Sequence, residues 1–233
     1  MTHCNICGNL VFSNFNTRKQ VFCLSCKSLE RHRLVRWSLE SLGVTVQNKT
    51  NGRRALHLAP EESIHRYLAP IFGGGYFCSD LFPEIYPHAR CLKLALPEGF
   101  DIFPDGYFNL IVHNHVLEHI PGDYRDHLTS FLRLLNHDSH MIFTTPPISL
   151  TSETKQGGEL LASDPERIRL FGQKDHYKRF GYDLLEWFQA MPGYFKAIDI
   201  PLEVRNDIRG GNESVFVYTS PKSEVQNYPV ESF

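Results

Sequence analysis

Four of the chain's six cysteines fall within its first 26 residues, as Cys4-x2-Cys7, fifteen intervening residues, and Cys23-x2-Cys26. Paired knuckles of this spacing wrap one tetrahedral zinc ion. Each Cys-x-x-Cys turn aims two sulfurs at a common centre, and Gly8 eases the reversal after the first. Leu10–Phe12 and Gln20–Phe22 read as the two strands of a hairpin between the knuckles, which is the layout of a zinc ribbon. A module of about 30 residues cannot bury enough surface to fold alone. Zinc affinity, about 10–16 kcal/mol in small finger peptides, supplies the deficit. Four thiolates leave no open coordination position, so the expected zinc is structural. The opening residues lack the basic region and long apolar stretch of a secretory signal, so the expectation is a soluble, cytoplasmic protein with reduced cysteines.

Charge divides the chain in the same place. Residues 1–36 carry Arg18, Lys19, Lys27, Arg31, Arg33 and Arg36 against Glu30 alone, a balance of +5, and since the whole chain is at −2 the remainder carries −7. A chain of that overall charge does not coat nucleic acid over its whole surface. Residues 28–42 continue as a basic helix. Its arginines either form a solvated face or, at Arg31 and Arg33, meet an anionic group with their guanidinium forks.

After a polar linker at 45–53, short apolar runs alternate with helical patterns over the 233-residue chain. Residues 54–59, 75–79, 108–113 and 141–145 read as strands, and 61–68 and 123–135 as helices. The latter helix has Leu128, Phe131, Leu132 and Leu135 on one face. Strands separated by helices predict an α/β fold with a doubly wound, mostly parallel sheet. Near the end, residues 182–191 read as a helix, and 195–202 and 214–219 as an antiparallel strand pair joined by a polar loop too short for a helix. The expected division is a ribbon with basic helix over 1–42, a main domain over 50–220 and a frayed tail over 221–233. No apolar run reaches the roughly 18 residues that span a bilayer.

Ligands of such sheets sit at the carboxyl ends of the strands. That nominates Leu58–Glu61, Asp80–Leu81, His113–His119 and Thr145–Pro146. An acidic side chain such as Asp80 at a strand tip accepts hydrogen bonds from ribose hydroxyls, or else caps a helix. His115-Val-Leu-Glu-His119 matches H-x-x-E-H, a metalloprotease pattern. That chemistry needs both histidines on one helical face, which a strand end just before and Pro121 just after disfavour.

The order of these pieces resembles the class I S-adenosylmethionine-dependent methyltransferases, in a type 11-like group with an N-terminal zinc ribbon, often placed with small-molecule and sugar-pathway enzymes. The landmarks are Ser28-Leu-Glu-Arg-His-Arg33, Leu56-His-Leu-Ala-Pro-Glu61, Ser79-Asp-Leu81, Asn114-His-Val-Leu-Glu-His-Ile-Pro121 and Phe171-Gly-Gln-Lys-Asp-His176, with Arg179 and Gly181. Together they cover most of residues 1–200. The resemblance implies a Rossmann-like sheet of seven strands and an S-adenosylmethionine site. Ala59, Pro60 and Glu61 would lie against the methionine part, Asp80 on the ribose, Leu81 beside the adenine, and Asn114 and His115 near the sulfonium. Where the family usually has Gly-x-Gly this chain has Ala59-Pro60-Glu61, and Pro60 removes a backbone donor. Asp101 and Asp105 both stand as candidates for an adenine contact.

Methyl transfer needs alignment of the acceptor and, for a hydroxyl or ammonium, removal of a proton. Among twelve histidines, His119 and His176 have the placement for this catalytic role. Asp175 would orient His176 or stabilise its protonated form, and Arg179, with Arg31 and Arg33, would hold an acidic substrate. The expected activity is methylation of a small polar acceptor, with an anionic one a candidate. The alternatives are a zinc-ribbon RNA methyltransferase and a non-catalytic binding module on the same fold.

Overall fold

Fully apolar strand centres can be covered only on both faces, which makes a parallel sheet flanked by helices the expected product. The computed structural model, which describes residues 2–48, 52–161 and 163–223, has that architecture. Its elements are β1 (Phe12–Phe15), β2 (Arg18–Cys23), α1 (Glu30–Ser41), β3 (Ala55–Leu58), α2 (Glu62–Phe72), β4 (Tyr76–Asp80), β5 (Leu92–Lys93) and β6 (Phe108–Asn114). There follow α3 (Tyr124–Leu134), β7 (Leu135–Thr144), α4 (Asp164–Phe171), α5 (Asp183–Ala190), β8 (Tyr194–Ala197), α6 (Leu202–Asp207) and β9 (Phe216–Thr219). β1 and β2 pair as a separate antiparallel hairpin, and the other seven strands form one sheet in the order β5-β4-β3-β6-β7-β9-β8. Strands β3 to β7 are parallel, and β9 runs antiparallel to both β7 and β8. The strand order reverses beside β3, where α/β sheets open a crevice.

Alternation along the strands assigns the two cores. Leu56, Ile111, Met141 and Phe143 face α3 and α5, meeting Leu128, Phe131, Leu184 and Phe188. Ala55, Leu110, Val112 and Ile142 face the other way, onto Ile64 and Leu68 of α2 and Leu34, Val35 and Leu39 of α1. Helix α1 therefore covers the sheet, while the ribbon keeps a small core of its own around Phe12 and the cysteines. Among the described residues no helix is long and apolar enough to cross a membrane.

The expected placement of Arg33 at a substrate is corrected here. Its side chain is fully buried, with Nε donating to the Ile208 carbonyl at 2.6 Å and Nη1 to the Ser28 carbonyl at 2.9 Å. Nη2 donates to the carbonyls of Val21 at 2.8 Å and Arg209 at 2.7 Å. The fork thus ties the ribbon, the start of α1 and the end of α6 together, close to the cysteine cluster. A lysine offers its donors from a single point and cannot reach all these carbonyls. Arg33→Lys is expected to lower unfolding stability by about 3 kcal/mol, read from denaturant melts; an unchanged midpoint would show the clamp to be dispensable.

The connection between the last two strands also differs from expectation. β8 ends at Ala197 and β9 begins at Phe216, so the connection widens to residues 198–215 and accommodates the short helix α6 after Pro201. The antiparallel pairing itself is present. Residues 49–51 of the expected linker and 224–233 of the expected tail lie outside the described residues.

Candidate active site

The four ribbon sulfurs lie within 4.8 Å of one another, with Sγ–Sγ distances of 3.6 Å for Cys4–Cys26 and for Cys7–Cys23. Zinc–sulfur bonds of about 2.3 Å at tetrahedral angles put sulfurs roughly 3.8 Å apart, so this donor set fits zinc. Gly8 and Lys27 turn the chain after each knuckle in left-handed conformations, with φ of 75° and 59°. Their N–H groups donate back to the carbonyls of Cys4 and Cys23 at 2.7 and 2.9 Å.

At the sheet's crevice two neighbouring strand tips carry strained backbone. Ala59 after β3 has φ of 48° and His115 after β6 has φ of 52°. Non-glycine residues hold such angles where their surroundings enforce them, and such positions cluster at functional sites. Asn114 lies 3.3 Å from Glu61 through its Nδ2 donor, and the Thr144 hydroxyl donates to its Oδ1 at 3.3 Å. Glu61 is ringed by cationic or donor groups: His32 and His57 at 3.3 Å and Arg31 at 3.9 Å. Burial works against charge on Glu61, but the two histidines override it and hold its carboxyl well below the usual range. On His115, burial is likewise outweighed by carboxylates on both sides, Glu118 at 3.2 Å and Glu213 at 2.5 Å, which raise its pKa to about 9.

These tips open into two joined cavities. One, of about 580 Å³, lies over Asp80, Leu81 and Phe82 at the end of β4 and reaches Tyr177. The other, of about 540 Å³, runs from Glu61 and Asn114 to Arg31 and His176, and its far wall is the ribbon hairpin at Phe15, Asn16 and Arg18. Ala59, Tyr86, His115, His119 and Asp175 line both.

The geometry thus gathers most of the residues singled out from the sequence. Ala59, Asp80, Leu81, His115, His119 and Asp175 line the first cavity. Arg31, Glu61, Asn114 and His176 line the second. Pro60 lines neither but accepts a hydrogen bond from His88 through its carbonyl, at 2.8 Å. Arg33 is buried behind the ribbon, and Arg179 is an exposed residue whose backbone pairs with Lys155. The sequence reading missed Phe15, Asn16, Arg18, Tyr86 and Glu213. For Arg18 the signal was its position at the hairpin turn of a ribbon preceding the sheet. Glu213 stands 98 residues from His115, and nothing local announces that pairing.

A family model described as a methyltransferase domain matches residues 80–191. The chain carries a methyltransferase domain. The matched stretch begins at Asp80 and runs through both cavity-lining turns to the end of α5, beyond the Ala59-Pro60-Glu61 loop. The crystal structure of a SAM-dependent methyltransferase from Archaeoglobus fulgidus superposes on this one with a TM-score of 0.53 at 14% identity, covering 80% of this chain and 93% of that one. The fold is therefore that of S-adenosylmethionine-dependent methyltransferases. A Burkholderia thailandensis 1,6-didemethyltoxoflavin-N1-methyltransferase, solved with S-adenosylhomocysteine, is similar at a TM-score of 0.47 and 14% identity, covering 83% of this chain and 79% of that one. No curated protein sequence matches this methyltransferase.

Proposed function

We propose that this methyltransferase binds S-adenosylmethionine over the tips of β3, β4 and β6 and methylates a small anionic acceptor held beneath a zinc-stabilised ribbon. One observation carries the reading: the two cavities meet at Ala59, His115 and His119, so a cofactor in one and an acceptor in the other would share a boundary. When bound, the cofactor supplies an activated methyl group on its sulfonium. The chain supplies binding and orientation. Asp80 suits the ribose, because the Phe82 N–H at 2.8 Å and the Tyr86 hydroxyl at 3.2 Å fix its carboxylate while leaving lone pairs for two hydroxyls. The exposed side chains of Leu81, Phe82 and Ile85 offer apolar surface for adenine. Ionised Glu61 suits the ammonium of the methionine part.

In the second cavity Arg31 and Arg18 supply positive charge for the acceptor. Arg18 is anchored on Glu30 at 2.7 Å through Nη1, which leaves the rest of its fork free. His119 and His176 give their Nδ1 protons to the carbonyls of Asp175 and Phe171, at 2.8 and 3.1 Å. Each ring is left with an Nε2 lone pair at the wall of the acceptor cavity, able to take a proton from the acceptor or to hold a metal ion. An RNA substrate gripped by α1 finds no support: Arg33 is buried, and Arg36 is paired with Glu40 at 2.5 Å and stacked over Tyr67 at 3.6 Å.

Calorimetric titration with S-adenosylmethionine tests the reading. Binding that Asp80→Ala weakens by tenfold or more, about 1.4 kcal/mol, is the expected result. No binding of S-adenosylmethionine or S-adenosylhomocysteine would overturn it in favour of a non-catalytic binding module.

A further inference from the structure

Glu118, His119 and His176 each bring a ligating atom within 4.8 Å of the other two. The backbone is arranged to keep them there. The Tyr177 N–H donates to the Glu118 carbonyl at 2.8 Å, tying the turn after β6 to the segment after α4. Both imidazoles donate from Nδ1 to backbone carbonyls. A carbonyl can only accept, so each ring's proton sits on Nδ1 and its Nε2 lone pair is available. Metal-binding histidines are oriented and fixed in tautomer by this kind of outer hydrogen bond.

Glu118 is an independent observation. Its side chain is fully buried, yet neither carboxylate oxygen has a hydrogen-bond partner. Among the described residues its ion-pair contact is His115, whose Nδ1 stands 3.2 Å from Oε1 without hydrogen-bond geometry and whose Nε2 is drawn to Glu213 at 2.5 Å. A buried carboxylate that meets one imidazole edge but accepts no hydrogen bond keeps lone pairs that a further cation would satisfy. The turn holding Glu118 and His119 is a single 3-10 turn, Leu117–His119, so the helical context of an H-x-x-E-H protease site is absent. The group that closes on Glu118 and His119 is instead His176, 57 positions beyond His119 in the sequence.

We propose that Glu118, His119 and His176 bind a first-row transition dication such as zinc or iron(II) at the wall of the acceptor cavity. Two imidazole nitrogens and one carboxylate suit such ions, whereas calcium and magnesium take oxygen ligands. Three protein ligands leave coordination positions open, and because His119 and His176 line the acceptor cavity, those positions face it. The acceptor class follows: a molecule with an oxygen able to enter the coordination sphere. That last step rests on the proposed function, while the metal site itself does not.

The test uses the full chain dialysed against excess cobalt(II), with metal content measured per chain and visible absorption recorded. The wild type is expected to hold two ions, one giving the intense thiolate charge-transfer band of the ribbon and one giving only weak ligand-field bands. His176→Ala and Glu118→Gln are each expected to hold one, keeping the charge-transfer band and binding the second equivalent at least about 100-fold more weakly. A wild type holding a single ion, or variants that both still hold two, would overturn the proposal. Calorimetry with S-adenosylmethionine on the same wild-type sample separates the two readings. Two ions without cofactor binding upholds the metal site and removes the methyl-transfer reading.

Discussion

Cys23→Ser is expected to abolish methyl transfer while leaving S-adenosylmethionine binding almost unchanged. The ribbon's own core amounts to Phe12 and three buried cysteines, with Ile6 packed against them. Without zinc, worth about 10–16 kcal/mol in small fingers, so small a cluster cannot hold a hairpin. Phe15, Asn16 and Arg18 hang from that hairpin and form the far wall of the acceptor cavity. No ribbon residue lines the cavity over Asp80. Helix α1 stays in place through Leu34, Val35 and Leu39, which pack with α2 and the sheet. The variant should therefore lose turnover by at least about 100-fold through a misplaced acceptor, with the cofactor Kd changing by less than about threefold. Substitution is preferred to a chelator, which would also empty the site at Glu118. Retained turnover in zinc-free protein would show that the ribbon is no part of the site. Joint loss of cofactor binding would show that the ribbon supports the whole domain.

The parts of this arrangement that could be read from the sequence are those whose physics is local. Leu110-Ile-Val112 can only be a strand covered on both sides, and the knuckle spacing at Cys4 and Cys23 points to one metal centre. Asp80 was legible because it ends an apolar run at the place where α/β sheets bind ligands. Arg33 was not. A cluster of arginines on a helix reads as solvated, and this one is buried because carbonyls from three separate segments, one of them 175 residues away, satisfy its fork. Helix α6 was hidden by strand ends misjudged by a few residues on each side, which made its connection look too short. Glu118 illustrates a third case. In sequence it belongs with His115 in a recognisable motif, but the turn after β6 breaks the helical spacing, and only the tertiary fold shows that His176 joins Glu118 and His119 in one cluster of ligating atoms.

Glu61→Gln is expected to weaken S-adenosylmethionine by roughly 10- to 150-fold, the effect of losing a charge-assisted contact of about 1.5–3 kcal/mol. Glu61 occupies the loop where the resemblance read from the sequence implies Gly-x-Gly, and Ala59 already provides the left-handed turn there. What the loop gains in place of a backbone donor at Pro60 is a fixed negative charge. Its surroundings keep it charged: burial opposes ionisation, but His32 and His57 overcome it, and the folded pKa lies well below the ordinary carboxylate value. A group with a depressed folded pKa lends stability that is fully present above its unfolded pKa, near 4.3, and is lost as pH falls through the folded value. The variant's stability deficit should accordingly shrink as pH falls through the folded value, as chemical melts at a series of acid pH values would record. 5′-Methylthioadenosine, which lacks the amino-acid part, should bind wild type and variant alike. Equal affinity of both proteins for S-adenosylmethionine would sink the assignment and leave Glu61 as a partner for its two histidines alone. Equal weakening for both ligands would mean that the substitution had displaced the whole loop, so the difference between the ligands is the quantity that identifies a contact to the cofactor's ammonium.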